Sequence, residues 1–165
     1  MLIGMMGSGK TTVGRRLAAE LGRPLVDSDA QVEARTGRTV REIFESDGEA
    51  AYRVLEREAL VDALAEAEPS VVAAAGGVVL DPGNRAVLQE AGTVVWLRAR
   101  PEVLARRVSA GRDHRPLLGD DPLAALRRLD AERRPLYAEV ADLVVDVDDL
   151  STRQVVTAVL ELVDR

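Results

Sequence analysis

The chain has 165 residues, 47% of them hydrophobic, with 22 lysines and arginines against 28 acidic side chains and a net charge of -6. That length suits one domain over residues 1–165 with a single sizeable core, and the acidic balance argues against a general nucleic-acid or membrane-surface binder. With no cysteine, disulfides, thiolate metal sites and a cysteine nucleophile are excluded. No stretch approaches 18 consecutive apolar residues and the N-terminus lacks signal-peptide order, so a cytoplasmic protein is expected. Any anionic ligand of such a chain must be held by a local cluster of basic groups.

In chain order, the first apolar run is Leu2-Ile3, read as a short strand. It leads into Gly4-Met5-Met6-Gly7-Ser8-Gly9-Lys10-Thr11, in which Gly4, Gly9, Lys10 and Thr11 fit G-x-x-x-x-G-K-[ST]. The helical stretch Thr12 to Leu21 follows. Glycines let successive backbone N–H groups turn inward around an anion, the helix N-terminus adds partial positive charge, and Thr11 offers a hydroxyl to Mg²⁺. Lys10 is the only lysine in the chain. A compact ammonium reaches between phosphates where a planar guanidinium is bulkier and directionally fixed. Gly7, Ser8, Gly9, Lys10, Thr11 and Thr12 are therefore the expected nucleotide contacts.

The second apolar run, Leu25-Val26, ends in Asp27-Ser28-Asp29. Strand ends are where open α/β sheets bind ligands, and carboxylates at i and i+2 face the same way if the backbone stays extended. One then supports Mg²⁺ while the other accepts a hydrogen bond from an attacking hydroxyl; the rival reading is that either merely caps the next helix. Ala30 to Glu68 is mostly helical in pattern and too long for a simple crossover, so an inserted helical subdomain is expected over about 30–68. Within it, Thr39-Val40-Arg41-Glu42 reads as a capping box. Local sequence makes Arg53, four residues after Glu49 and four before Arg57, a member of a solvated ion-pair face.

The third run, Val71-Val72-Ala73, ends in Ala74-Ala75-Gly76-Gly77. A fourth, Thr93 to Leu97, precedes Pro101, which suits the first position of a helix from Glu102 to Val108. Ser109 to Pro122 has two glycines, two prolines and alternating charge without a period, which reads as a lid-like surface loop over about 109–122 carrying Arg115. His114 there reads as a solvated loop residue. A helix from Leu123 is expected to end or kink at Pro135, projecting Arg133 and Arg134 away from a regular face. A fifth run, Leu143-Val144-Val145, is followed by a second capping box, Ser151-Thr152-Arg153-Gln154. Continuous apolar runs alternating with helices give an α/β domain with a parallel sheet covered on both faces.

A phosphate loop alone leaves several classes open. A GTPase switch needs Asn-Lys-x-Asp, which a chain with one lysine cannot supply, and no D-x-x-G occurs. A large ATPase usually has an apolar strand ending in Asp or Glu, whereas the third run ends in alanines and glycines. A small kinase fits best.

Over nearly its whole length the sequence resembles the shikimate kinases. The segments that carry the likeness are GMMGSGKTTVGRRLA, LVDSDAQVEARTGRTVREIFESDGEAAYRVLE, AAGGVVLDP, RPLL and RRPLY. The resemblance implies a P-loop kinase fold of the nucleoside-monophosphate-kinase type: a five-stranded parallel sheet flanked by helices, a helical substrate-binding subdomain and a mobile lid. It implies transfer of the ATP γ-phosphate to the shikimate 3-hydroxyl, a step of chorismate and aromatic amino-acid biosynthesis. By the same likeness, Asp29 binds the acceptor hydroxyls and takes the reacting proton, and Asp27 supports Mg²⁺ through water beside Thr11. Arg53 and Arg133 clamp the substrate carboxylate, Gly76 with Gly77 contacts substrate, Arg115 closes on the phosphates and Arg107 stacks on adenine. The expected partners are ATP and shikimate, with no nucleic acid or membrane, and the expected state is a monomer. Three departures from the family pattern stand out: Ala75 replaces a glycine, the segment Asp148 to Ser151 lacks an arginine, and only three residues precede Gly4. Two other readings remain: a gluconate or nucleotide kinase of the same fold, distinguished by what Arg53 and Arg133 grip, and a P-loop module without catalysis. Retention of Lys10, Thr11, Asp27, Asp29 and Arg115 together argues against the last.

Overall fold

A computed structural model describes residues 1–65, 68–110 and 117–163. The five apolar runs all form strands: β1 Leu2–Ile3, β2 Leu25–Asp27, β3 Val71–Ala73, β4 Val95–Arg98 and β5 Leu143–Asp146. They make one parallel sheet in the order β2-β3-β1-β4-β5, with Leu2 in register with both Ala73 and Val95, and Val95 with Leu143. Leu2, Ile3, Val72, Val95 and Leu97 are each almost fully buried, which explains why these strands read as unbroken apolar runs.

The helices follow the strands: α1 Lys10–Leu21, α2 Ser28–Thr36, α3 Val40–Ala65, α4 Pro82–Glu90, α5 Pro101–Ala110, α6 Pro122–Val140 and α7 Thr152–Val163, with a 3₁₀ turn at Val78–Leu80. From β1 the chain crosses over β3 to β2, and from β3 it crosses over β1 to β4. Right-handed crossovers in opposite directions put α1 and α4 on opposite faces of the sheet. Helix α7 packs against α1, while α4 and α5 pack against α6. The reversal of direction opens a crevice at the carboxyl ends of β1 and β3, the ligand position of open α/β sheets.

Both capping boxes form. Thr39 Oγ1 accepts from the Glu42 N–H at 3.2 Å while Glu42 Oε2 accepts from the Thr39 N–H at 2.7 Å, and Ser151 with Gln154 does the same. Helices α2 and α3 close a second small core in which Val32, Ile43, Tyr52 and Ala59 are buried against Val40, Phe44 and Leu55. Helix α3 is broken at Gly48, where φ 85 and ψ 171 leave the helical region, and Phe44 and Tyr52 on either side of the break stack with ring centroids 4.7 Å apart.

Two local expectations are corrected. Helix α6 runs through Pro135 to Val140. Its missing N–H frees the carbonyl of Ala131, and both residues lie on the exposed side of the helix, where a lost hydrogen bond costs less than it would in the core. Arg133 consequently stays on the regular inner face and is 2% exposed, the opposite of being projected outward. Of the stretch 109–122 expected as a loop, Ser109 and Ala110 belong to α5, and Asp121 caps α6 by accepting from the Ala124 N–H at 3.0 Å; residues 111–116, Arg115 and His114 among them, lie outside the described residues.

Candidate active site

The loop between β1 and α1 holds positive φ at Gly4, Gly7 and Gly9. At Gly4 there is a second constraint, because a Cβ there would stand 2.6 Å from the carbonyl oxygen of Leu97 on the neighbouring strand. Only glycine lets the loop leave the sheet at that point. Lys10 opens α1 and folds back over the loop, its Nζ donating to the carbonyls of Gly4 at 2.7 Å and Met5 at 3.0 Å. Ser8 is turned inward: its N–H donates to Met5 O at 3.2 Å and its side chain is buried. Thr11 and Thr12 sit in the exposed first turn of α1.

Thr11 Oγ1 donates to Asp27 Oδ2 at 2.5 Å, so the predicted metal pair is in direct contact. Two oxygen donors beside a phosphate loop suit Mg²⁺, which commonly takes one or two protein oxygens and completes its shell with phosphate and water. No cluster of three or more His, Asp or Glu that could cage a metal occurs among the described residues.

The geometry assumed for Asp27 and Asp29 needs correction. Asp27 is extended, but Ser28 and Asp29 already belong to α2, so the two carboxylates do not share the face of a strand. Asp27 Oδ1 accepts from the N–H groups of Asp29 and Ala30, capping α2 while its other oxygen meets Thr11. Capping therefore does not exclude the metal role that sequence reasoning set against it. The Asp29 carboxylate receives the hydroxyl of Tyr52 through Oδ1.

Arg53 comes from α3 and reaches the end of β3. Its guanidinium is held by Glu49 at 2.6 Å and by Glu56 at 2.9 Å, and Glu56 is 1% exposed. This is a half-buried anchored group, unlike the solvated face that local sequence suggests. Burial works against the charge on Arg53, but Glu56 and Glu49 overcome it and hold the guanidinium above its ordinary value. Burial likewise pushes the Glu56 carboxyl above the usual carboxylate range, with Arg53 pulling the other way.

Gly77 lies under Arg53: a Cβ there would be 1.9 Å from an Arg53 terminal nitrogen. Gly77→Ala is expected to lower the melting temperature by several degrees, because moving the guanidinium takes the ion-pair partner from the buried Glu56 carboxylate. It should raise KM for the acceptor about tenfold as Arg53 is displaced, a loss of order one charge-assisted hydrogen bond. Steady-state kinetics beside a melting curve check this. Gly76 packs on the phosphate loop, where a Cβ would stand 3.4 Å from the Gly4 carbonyl oxygen and 3.8 Å from an Arg133 terminal nitrogen. The Gly76 carbonyl accepts from the Tyr137 hydroxyl at 2.5 Å. Arg133 Nε is buried without a hydrogen-bond partner among the described residues. Ala75, where the family has glycine, needs no positive φ, and its N–H donates to Ser28 Oγ at 2.8 Å.

Arg107 ties the loop to the far side of the nucleotide region. It donates to the carbonyls of Val147 at 2.6 Å and Gly7 at 3.5 Å. Sequence reasoning missed Tyr52, Glu56 and Tyr137. Their spacing from known positions could have shown them: Glu56 is three residues after Arg53, and Tyr137 four after Arg133.

The phosphate loop and a pair of arginines meet across Gly76, so a phosphate chain and a small anion can lie side by side at the crevice. That is the plan of a P-loop kinase acting on a small acid. Comparison with known proteins gives the family. The family model described as shikimate kinase matches residues 6–164. A shikimate kinase from Symbiobacterium thermophilum is 48% identical over 163 residues, covering 98% of this chain and 93% of the relative. The structure of shikimate kinase from Acinetobacter baumannii in complex with shikimate aligns with a TM-score of 0.91 at 38% identity, over 98% of this chain and 90% of that one. A gluconokinase from Sinorhizobium meliloti aligns with a TM-score of 0.66 at 21% identity, over 97% of this chain and 87% of that one, a likeness of fold alone. The chain belongs to the shikimate kinase family, and its activity is that of an ATP-dependent phosphotransferase with shikimate as acceptor. No helix among the described residues is long and apolar enough to cross a membrane.

Proposed function

We propose that the crevice between the phosphate loop and Gly76-Gly77 carries out the transfer of the ATP γ-phosphate to the 3-hydroxyl of shikimate, with Arg53 and Arg133 holding the shikimate carboxylate. The observation that carries this assignment is the convergence of the two guanidinium groups on Gly76 and Gly77. Arg133 brings a buried Nε that lacks an acceptor, and a planar carboxylate supplies one. Asp29 and Tyr52 stand on the subdomain side of the same crevice.

In this reading Gly7, Ser8, Gly9, Lys10, Thr11 and Thr12 surround the triphosphate, and Arg115 closes over it from the lid. Arg107 lies against adenine while bracing the loop. Thr11 and Asp27 hold Mg²⁺, which when bound neutralises charge on the phosphate oxygens. The acceptor oxygen attacks the γ-phosphorus, the bond to the β,γ-bridging oxygen breaks, and ADP leaves with that electron pair. The hydroxyl proton passes to Asp29. The transferred group is loose and metaphosphate-like at the transition state, so Asp29 chiefly aims the hydroxyl and the proton leaves late. Fixing the carboxylate at one end decides which hydroxyl faces phosphorus. Helices α2 and α3 form the substrate-binding insertion, and closure of the lid excludes water. The enzyme works as a cytoplasmic monomer.

The test is a coupled ATPase assay with shikimate, gluconate and nucleoside monophosphates as acceptors. Turnover with shikimate alone is expected; turnover with another acceptor and none with shikimate sinks the assignment. Arg133→Ala should raise KM for shikimate about 10- to 100-fold, the loss of a charged hydrogen-bond pair, with KM for ATP nearly unchanged. A defect confined to ATP would mean that Arg133 serves the nucleotide.

A further inference from the structure

Tyr52 has a place in the site that its neighbour Arg53 does not explain. Its ring is buried in the small core between α2 and α3, 3% exposed, stacked on Phe44 and packed with Val32, Ile43 and Ala59. Only its hydroxyl leaves that core, and it donates to Oδ1 of Asp29. Asp29 and Val32 lie three residues apart on α2 and so share one helix face. Val32 is buried in the core that holds the tyrosine ring. The donor and the carboxylate are therefore seated on one rigid packing unit, although 23 residues separate them in the chain.

We propose that Tyr52 is a positioning residue for phosphoryl transfer: its hydroxyl, bonded to Oδ1, holds the Asp29 carboxylate in the orientation that meets the acceptor hydroxyl in the ternary complex. This rests on Asp29 being the group that receives that hydroxyl. A carboxylate turns about its last torsion, a soft rotation between sp³ and sp² carbons, and each hydrogen bond to one of its oxygens narrows that rotation. A phenol anchored by its ring removes that freedom at little entropic cost, since tyrosine has few torsions of its own to freeze. The donor also stays a donor. Burial, with the charges of Asp29 and Glu56, pushes the Tyr52 phenol far above its ordinary ionisation range, so the proton remains on the tyrosine oxygen.

A transition state that depends on aim is sensitive to this orientation, whereas affinity for the shikimate carboxylate is set by Arg53 and Arg133. The two contributions separate in the kinetics. Tyr52→Phe keeps the ring and removes only the donor. Its expected effect is a fall in kcat of about tenfold, with KM for shikimate, KM for ATP and the melting temperature all close to those of the unaltered enzyme. Asp29→Ala is measured alongside. If Tyr52→Phe keeps kcat within twofold, or loses activity only together with a raised shikimate KM and a lowered melting temperature, Tyr52 is a packing residue and the proposal falls. Asp29→Ala would still be inactive in that case, so the role of Asp29 would stand. If Asp29→Ala itself turns over at the unaltered rate, the reading of Asp29 fails and this inference fails with it.

Discussion

Replacing Asp29 by asparagine is expected to lower kcat by about 10²–10⁴-fold, the usual contribution of a positioned general base, while ATP binds as before. The substitution is nearly isosteric, and an amide oxygen can still accept from the Tyr52 hydroxyl, so the hydrogen bond that seats this side chain on the helical subdomain survives. What is lost is the negative charge that, in the proposed role of Asp29, orients the acceptor hydroxyl and finally takes its proton. A loose transition state reduces the demand for early proton removal, which places the expected loss nearer the lower end of that range than the upper. Pre-steady-state measurement with both substrates saturating separates chemistry from product release, and titration with a non-hydrolysable ATP analogue checks nucleotide binding. A rate constant for chemistry within about threefold of the unaltered enzyme would contradict the role given to Asp29.

Lys10→Arg is the second large effect expected, a loss of about 10²–10³-fold in kcat although the positive charge is kept. Lys10 bends back so that its ammonium lies 2.7 Å and 3.0 Å from two carbonyls of its own loop. Donors there must exchange loop carbonyls for phosphate oxygens as the nucleotide enters. Three rotatable N–H groups on a compact centre can do so; a planar fork with fixed directions cannot enter the same space without moving the loop. Because the chain uses arginine at every other cationic position except His114, the substitution also asks whether this one lysine is a matter of shape. Turnover within tenfold of the unaltered enzyme, measured at saturating ATP and shikimate, would mean that charge alone suffices there.

The two predictions differ in how each residue became visible. Lys10 and Thr11 belong to a contiguous motif whose chemistry is local: glycines, a turn and a helix start within eight residues, each needed for a reason that requires nothing beyond the loop. Asp27 was visible too, but its sequence reading set a metal role against a cap, and only the fold shows that one oxygen caps α2 while the other meets Thr11. The pairing of Asp27 with Asp29 by strand alternation failed because α2 begins at Ser28, directly after the strand. That boundary is set by Asp27 itself acting as a cap, so the residue that suggested an extended segment is the one that ends it.

Arg133 illustrates the opposite failure. Proline argued for the end of a helix, yet the consequence of a missing N–H depends on which side of the helix it falls. At Pro135 it falls on the water side, and the arginine two residues earlier remains buried. Arg53 gave only the signal of an exposed ion-pair face, because nothing local says that Glu56, one turn on, is buried.

By itself, then, the sequence determined the five strands, the glycine-rich loop after the first of them and the helix starts marked by capping boxes. Each of these follows from spacing and composition within about ten residues. The tertiary structure alone decided that Arg53 and Arg133 meet at Gly76-Gly77, that Tyr52 reaches Asp29, and that Asp27 serves two neighbours at once. These contacts join residues tens of positions apart across the reversal in strand order, and the pattern of any single segment carries no record of which distant segment will be folded against it.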